Sequence, residues 1–160
     1  MVSLDAIRAS NERIRTELPT GLVAVFVGAT NGIGETSLKQ FVKHTKRPRV
    51  YFIGRSDKAA KRIKTELKSL NPDGDYHFLK YQVSLLRNVD QACRDIKSKE
   101  RTINLLFISA GPLATGTQTK EGLHLFHQAQ GHFASMITLA LEAHHIKTFL
   151  LHHRSTECIV

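Results

Sequence analysis

The stretch Val23-Ala24-Val25-Phe26-Val27-Gly28-Ala29-Thr30-Asn31-Gly32-Ile33-Gly34 constrains this chain more than any other. A continuous apolar run ends in three glycines spaced G-x-x-x-G-x-G, and a helical pattern follows directly. The physical reading is a buried parallel strand turning tightly into a helix whose N-terminus faces an anion. Gly28 permits the turn, Gly32 lets a phosphate approach the backbone, and Gly34 lets the helix lie close to the strand. Glycine motifs alone are weak, but here the strand before and the helix after are both present, as the motif requires. Thr30, Asn31 and Ile33 lie within the same turn and join the glycines as candidates for holding a dinucleotide.

The rest of the chain repeats strand and helix. Leu4, Ile7, Asn11, Ile14 and Leu18 form one stripe of an N-terminal helix that Pro19-Thr20-Gly21 ends. The first strand covers about Leu22 to Val27. The next helix face is Ile33, Leu38, Phe41 and Val42, closing near Lys46-Arg47-Pro48. A second strand, Val50 to Ile53, closes on Gly54-Arg55-Ser56, with Asp57 as the expected N-cap of a helix striped by Ala60, Ile63, Leu67 and Leu70. A third strand is expected over Tyr76 to Val83, a helix with Leu86, Val89, Cys93 and Ile96, and a fourth strand over Ile103 to Ile108. Such alternation with short connections implies an α/β fold: a Rossmann-like, doubly wound parallel sheet of about four strands in the order 3-2-1-4.

Composition excludes several classes. The 160 residues fit one domain, and 41% hydrophobic with 23% charged residues is ordinary for a globular protein. No apolar run is long enough to span a bilayer, since Ala134 to Leu141 is broken by Thr138 and followed by Glu142. Met1 to Asp5 lacks the pattern of a secretory signal, and Cys93 and Cys158 suggest no disulfide framework, so a cytoplasmic location without membrane attachment is expected. The net charge is +9, concentrated between Lys39 and Lys68, where eleven Lys or Arg accompany only Asp57 and Glu66. The aromatic residues in this stretch, Phe41, Tyr51 and Phe52, belong to the apolar helix face and strand and form no base-stacking platform, so nucleic acid is not the expected partner.

A bound dinucleotide needs more than the glycine turn. The adenosine ribose lies at the end of the second strand, where Arg55 stands 21 residues beyond Gly34. An acid there accepts the hydroxyls of NAD, whereas an Arg pairs with the additional phosphate of NADP. Ser56 adds a hydroxyl and Lys58 further positive charge. The fourth strand ends in Ser109-Ala110-Gly111, whose small side chains let a nicotinamide lie close to the backbone. NADP is therefore the expected cofactor.

Together these residues amount to a resemblance. Gly28 to Gly34 resembles the cofactor turn of the short-chain dehydrogenases/reductases, and Ser109-Ala110-Gly111 resembles that family's Asn-Ala-Gly element. Leu4 to about Leu123 is similar to a fungal branch met among secondary-metabolite pathway enzymes. The resemblance implies an NADP-dependent oxidoreductase acting on a small carbonyl or alcohol substrate. It also assigns the adenine side to Gln82 and Val83, with Gln82 where the family places an Asp; its side-chain carbonyl can still accept the adenine amine. Val27 replaces the usual Thr before the first glycine, and Ser109 replaces the Asn.

The larger departure concerns catalysis. The family transfers hydride with a Tyr as proton donor, acidified by a Lys four residues later, and a Ser on the substrate oxygen. Here the only tyrosines are Tyr51, Tyr76 and Tyr81, and no Tyr-x-x-x-Lys follows the fourth strand. No catalytic residue is assigned, and the expectation is a chain truncated before that element.

Residues 1–121 thus read as a dinucleotide-binding domain with an N-terminal helix, and residues 122–160 as an atypical, His-rich, helical C-terminal tail. Seven of the nine histidines lie from His124 onward. His124 and His127 would share a helix face, but no recognised set of metal ligands is completed, so no metal is expected. Ile146 to Leu151 is readable as a short strand or as further helix. A shifted frame, a retained intron or a degenerate gene would produce such a tail, as would a short binding protein. An incomplete sheet would expose its fourth strand as an edge that invites self-association. Two functions stay open: an oxidoreductase incomplete on its own, and a non-catalytic dinucleotide-binding or interaction module.

Overall fold

The computed structural model describes residues 3–110 and 147–150. Its elements are α1 (Leu4–Glu17), β1 (Val23–Val27), α2 (Gly32–His44), β2 (Arg49–Gly54), α3 (Asp57–Leu70), β3 (Asp75–Lys80), α4 (Leu86–Lys97), β4 (Leu105–Ile108) and β5 (Lys147–Leu150). All pair in parallel in one sheet of order β3-β2-β1-β4-β5. The expected order 3-2-1-4 is present, and a fifth strand extends it. β4 is therefore covered by β5, which corrects the expectation that the fourth strand is an open edge. The tail expected to be helical supplies a strand at Lys147–Leu150; its remaining expectations, including the His124–His127 pair, Gly111 and Cys158, lie outside the described residues.

Burial on both faces explains the continuous apolar strands. Val23, Val25 and Val27 pack with Tyr51, Ile53, Leu106 and Ile108 against Val89, Ala92, Cys93 and Ile96 of α4. Ala24, Phe26, Val50 and Phe52 face the other way, against Leu38 and Val42 of α2 and Ala60, Ile63 and Leu67 of α3. The sheet is thus doubly wound, with α2 and α3 on one face and α4 on the other.

The local expectations differ from the structure at element ends. Ile33 and Leu70, expected in buried stripes, are 65% and 42% exposed because each lies at a helix terminus. Leu4 and Ile7 of α1 and Leu18 just beyond its end are exposed too. Ser56, rather than Asp57, caps α3, its Oγ accepting from Ala59 N at 3.3 Å. Asp57 instead pairs with Lys80. β3 stops at Lys80; Tyr81 just beyond it donates its backbone N to Gly54 O at 3.1 Å and its phenol to Asp95 of α4 at 2.7 Å.

Candidate cofactor site at the carboxyl edge of the sheet

The register brings the strand ends into line. Val27 of β1 is flanked by Ile53 of β2 and Ile108 of β4, so Gly28, Gly54 and Ser109 emerge side by side at the carboxyl edge. Open parallel sheets bind ligands at this edge, where neighbouring crossovers diverge to opposite faces. Here β1 leads to α2 on one face, while β4 lies beyond it on the side of α4.

The glycines act through distinct physical constraints. Gly28 has φ of 85°, and a Cβ there would fall 2.5 Å from Ala110 N. Gly32 has φ of 57° but open space around it, which leaves the backbone accessible from outside. Gly34 sits on the turn itself: a Cβ would lie 2.6 Å from Gly28 O and collide with Ser109 Oγ. The turn expected at Gly28 and the close helix–strand approach expected at Gly34 each have a geometric basis. Asn31 precedes α2 in extended conformation and makes no side-chain cap bond. The first turn of α2 therefore has no N-cap side chain on its N–H groups.

Around this turn, the other candidates fall in one neighbourhood. Arg55 follows the last residue of β2 and is exposed, with Ser56 beside it at the start of α3. Gln82 is exposed beyond β3, its Nε2 donating to Ser84 Oγ at 2.9 Å, while Val83 packs against the core. Ala110 also packs against the core at the end of β4. Among the sequence-derived candidates, only Gly111 lies outside the described residues.

Gly54 joins the site without a signal of its own, and Ser109 plays a structural part beyond its small size. Gly54 carries no Cβ because Thr30 rests directly on it, which seats the glycine turn against the end of β2. Ser109 Oγ donates to Val27 O and Gly28 O, both at 3.3 Å, and its backbone N donates to Val27 O at 2.9 Å. It ties β4 to the turn. A hydroxyl at a strand end was the available signal for that part.

The three phenols are engaged elsewhere. Tyr51 donates to Glu100 Oε1 at 2.9 Å, Tyr76 to Asn71 O at 2.7 Å, and Tyr81 to Asp95. Burial, with the neighbouring Glu100 carboxylate, pushes the Tyr51 phenol above its usual range. Burial raises Tyr76 to about 12, and the hydrogen bond to Asp95 raises Tyr81. None of the three is made more acidic, as a proton donor working near neutrality would need. A cleft of about 360 Å³ lies at the opposite, amino end of the sheet, between Arg47, Arg49, Asp73 and Asp75. Its mixed charges give no preference for a polyphosphate.

Comparison with known proteins agrees with this geometry. Residues 22–146 match the short chain dehydrogenase family, and the chain belongs to that family of oxidoreductases. It is 44% identical over 124 residues to the oxidoreductase andH of Emericella variicolor, covering 77% of this chain and 36% of that protein. It is 34% identical over 107 residues to the short-chain dehydrogenase/reductase SAT2 of Stachybotrys chartarum, covering 62% and 29% respectively. The chain thus spans about a third of the length of these relatives. The same fold occurs in L-sorbose reductase from Gluconobacter frateurii, solved with NADPH and L-sorbose, at a TM-score of 0.63 and 19% identity, covering 76% of this chain and 46% of that one.

Proposed function

We propose that this chain binds NADP(H) at the carboxyl edge of its sheet, as the cofactor-holding part of a carbonyl or alcohol oxidoreductase of fungal secondary metabolism. The observation that carries the reading is the uncapped N-terminus of α2 behind a glycine turn, with exposed Arg55 rather than an acid at the end of β2. Gly28, Thr30, Gly32, Ile33 and Gly34 would hold the pyrophosphate with Asn31. Arg55 and Ser56 would meet the 2′-phosphate, Gln82 and Val83 the adenine, and Ala110 and Gly111 the nicotinamide side. When bound, the cofactor supplies the hydride chemistry.

Residues 1–160 do not themselves supply the family's phenol donor. No tyrosine follows Tyr81, and all three phenols are hydrogen-bonded away from an acidic role. The second reading, a module that binds the dinucleotide without turning it over, rests on this point alone; a cytoplasmic location is proposed for either. Among the described residues no helix is long and apolar enough to cross a membrane. The division at residue 121 is retained for function, with cofactor contacts before it, although Lys147–Leu150 joins the same sheet.

Equilibrium titration with NADPH and NADH tests the reading. Saturable NADPH binding is expected, and Arg55→Ala should weaken it by about 1–3 kcal/mol while leaving NADH nearly unchanged. Equal losses for both nucleotides would remove the role assigned to Arg55. NADPH oxidation with a carbonyl substrate by the purified chain would overturn the non-catalytic reading.

A further inference from the structure

Directly behind the glycine turn, Glu35 places a carboxylate in the first turn of α2. This position is favourable for a helix, whose N-terminus carries partial positive charge, but it sets a negative charge beside the place assigned to a diphosphate. The carboxylate is only 12% exposed and is held from two sides. Arg62 of α3 grips it with both terminal nitrogens, at 2.6 and 2.7 Å, and Lys39 donates to it at 2.5 Å. Glu66 completes the cluster, 2.5 Å from Lys39 and 3.1 Å from Arg62. Two acids and two bases thus cancel, and the fork geometry places both Arg62 terminal nitrogens on the Glu35 carboxylate.

Resting on the cofactor reading above, we propose that Arg62 is a positioning residue that masks Glu35, so that the N-terminus of α2 receives the cofactor's diphosphate without a competing negative charge. The proposal predicts opposite signs for two substitutions that break the same bond. Arg62→Ala leaves the cluster at net −1; Glu35→Gln leaves it at net +1. A purely mechanical clamp between α2 and α3 would make both variants bind more weakly.

The test is equilibrium titration with NADPH of the full chain, the two single variants and the double variant, at low and at high ionic strength. Arg62→Ala should bind about three- to tenfold more weakly at low salt, with the loss shrinking at high salt. Glu35→Gln should bind more tightly than the parent at low salt, and Glu35→Gln with Arg62→Ala, again neutral, should return to the parental affinity. Weakened or unchanged binding by Glu35→Gln, or no effect of Arg62→Ala in a folded protein, overturns the proposal while parental binding keeps the cofactor reading. Absence of parental NADPH binding removes both. If Arg62→Ala does not fold, the sign of the Glu35→Gln effect decides.

Discussion

The two ends of the sheet use their polar groups in opposite ways. At the amino end, side chains stitch distant parts of the chain together. Asn104 accepts from Val23 N at 2.9 Å through its side chain, and its backbone N donates to Val23 O at 2.8 Å. Glu100, buried after α4, accepts from Tyr51 on β2 and pairs with Arg49 at 3.2 Å. Asn71 donates to Val42 O and Thr45 O, closing α2 onto the end of α3. At the carboxyl edge the turn is assembled mainly by the absence of side chains, with glycine at 28, 34 and 54 and a helix start without a side-chain cap, while Ser109 Oγ ties β4 to it. The amino end commits side chains to holding distant segments together, while at the carboxyl edge the start of α2 carries no side-chain cap. Binding is therefore expected where stitching is sparse, and substitutions at the two ends should separate affinity from stability.

The largest effect is expected at Gly28. Gly28→Ala combines a left-handed backbone with a clash against the Ala110 backbone, which belongs to the strand end and cannot simply rotate away. A loss of about 3 kcal/mol of stability follows. Gly32→Ala shares the left-handed conformation but meets open space, so about 1 kcal/mol is expected. Denaturant melts of both variants check the ordering; similar losses would show that conformation, rather than packing, sets the cost at Gly28.

Glu100 sharpens the comparison from the other end. Glu100→Ala strands the buried Tyr51 hydroxyl and removes the partner of Arg49, at a cost of about 2 kcal/mol. NADPH affinity of the folded fraction should not change, because the network lies at the opposite end of β2 from Arg55. A stability loss with unchanged affinity supports the division, and a parallel loss of affinity would break it.

How much of this was legible in the sequence follows from how local each constraint is. The glycine turn was readable because positive φ and close approach restrict residue type within a few positions. The strand order followed from short crossovers and their handedness. The cap of α3 was displaced by one residue because Ser56 and Asp57 are both good cap formers, and Lys80 engages the second. β3 ended early because Tyr81 turns toward Asp95, a partner 14 positions away. β5 was ambiguous, since a run as short as Ile146 to Leu151 carries no decisive period, and its pairing with β4 spans some forty residues. The stitching of the amino end was invisible for the same reason: Tyr51 and Glu100 are 49 positions apart, and Val23 and Asn104 are 81.

The smallest effect belongs to the ion cluster between the two ends. Its hydrogen bond from Arg62, reinforced by Lys39, holds the Glu35 carboxyl at about 2, below its usual 4.5. A carboxyl depressed by folding contributes stability above its unfolded value and loses that contribution as pH falls toward the folded one. Stability should therefore decline between about pH 4.5 and pH 2. Because Arg62 is half exposed to solvent, the decline due to this group is expected to be at most about 1 kcal/mol. Melting temperature against pH, compared between the parent and Glu35→Gln, isolates it: the variant should lack this part of the acid limb. An identical limb in both proteins would place the acid sensitivity in other carboxylates, Asp95 first among them, since the Tyr81 phenol lowers it too.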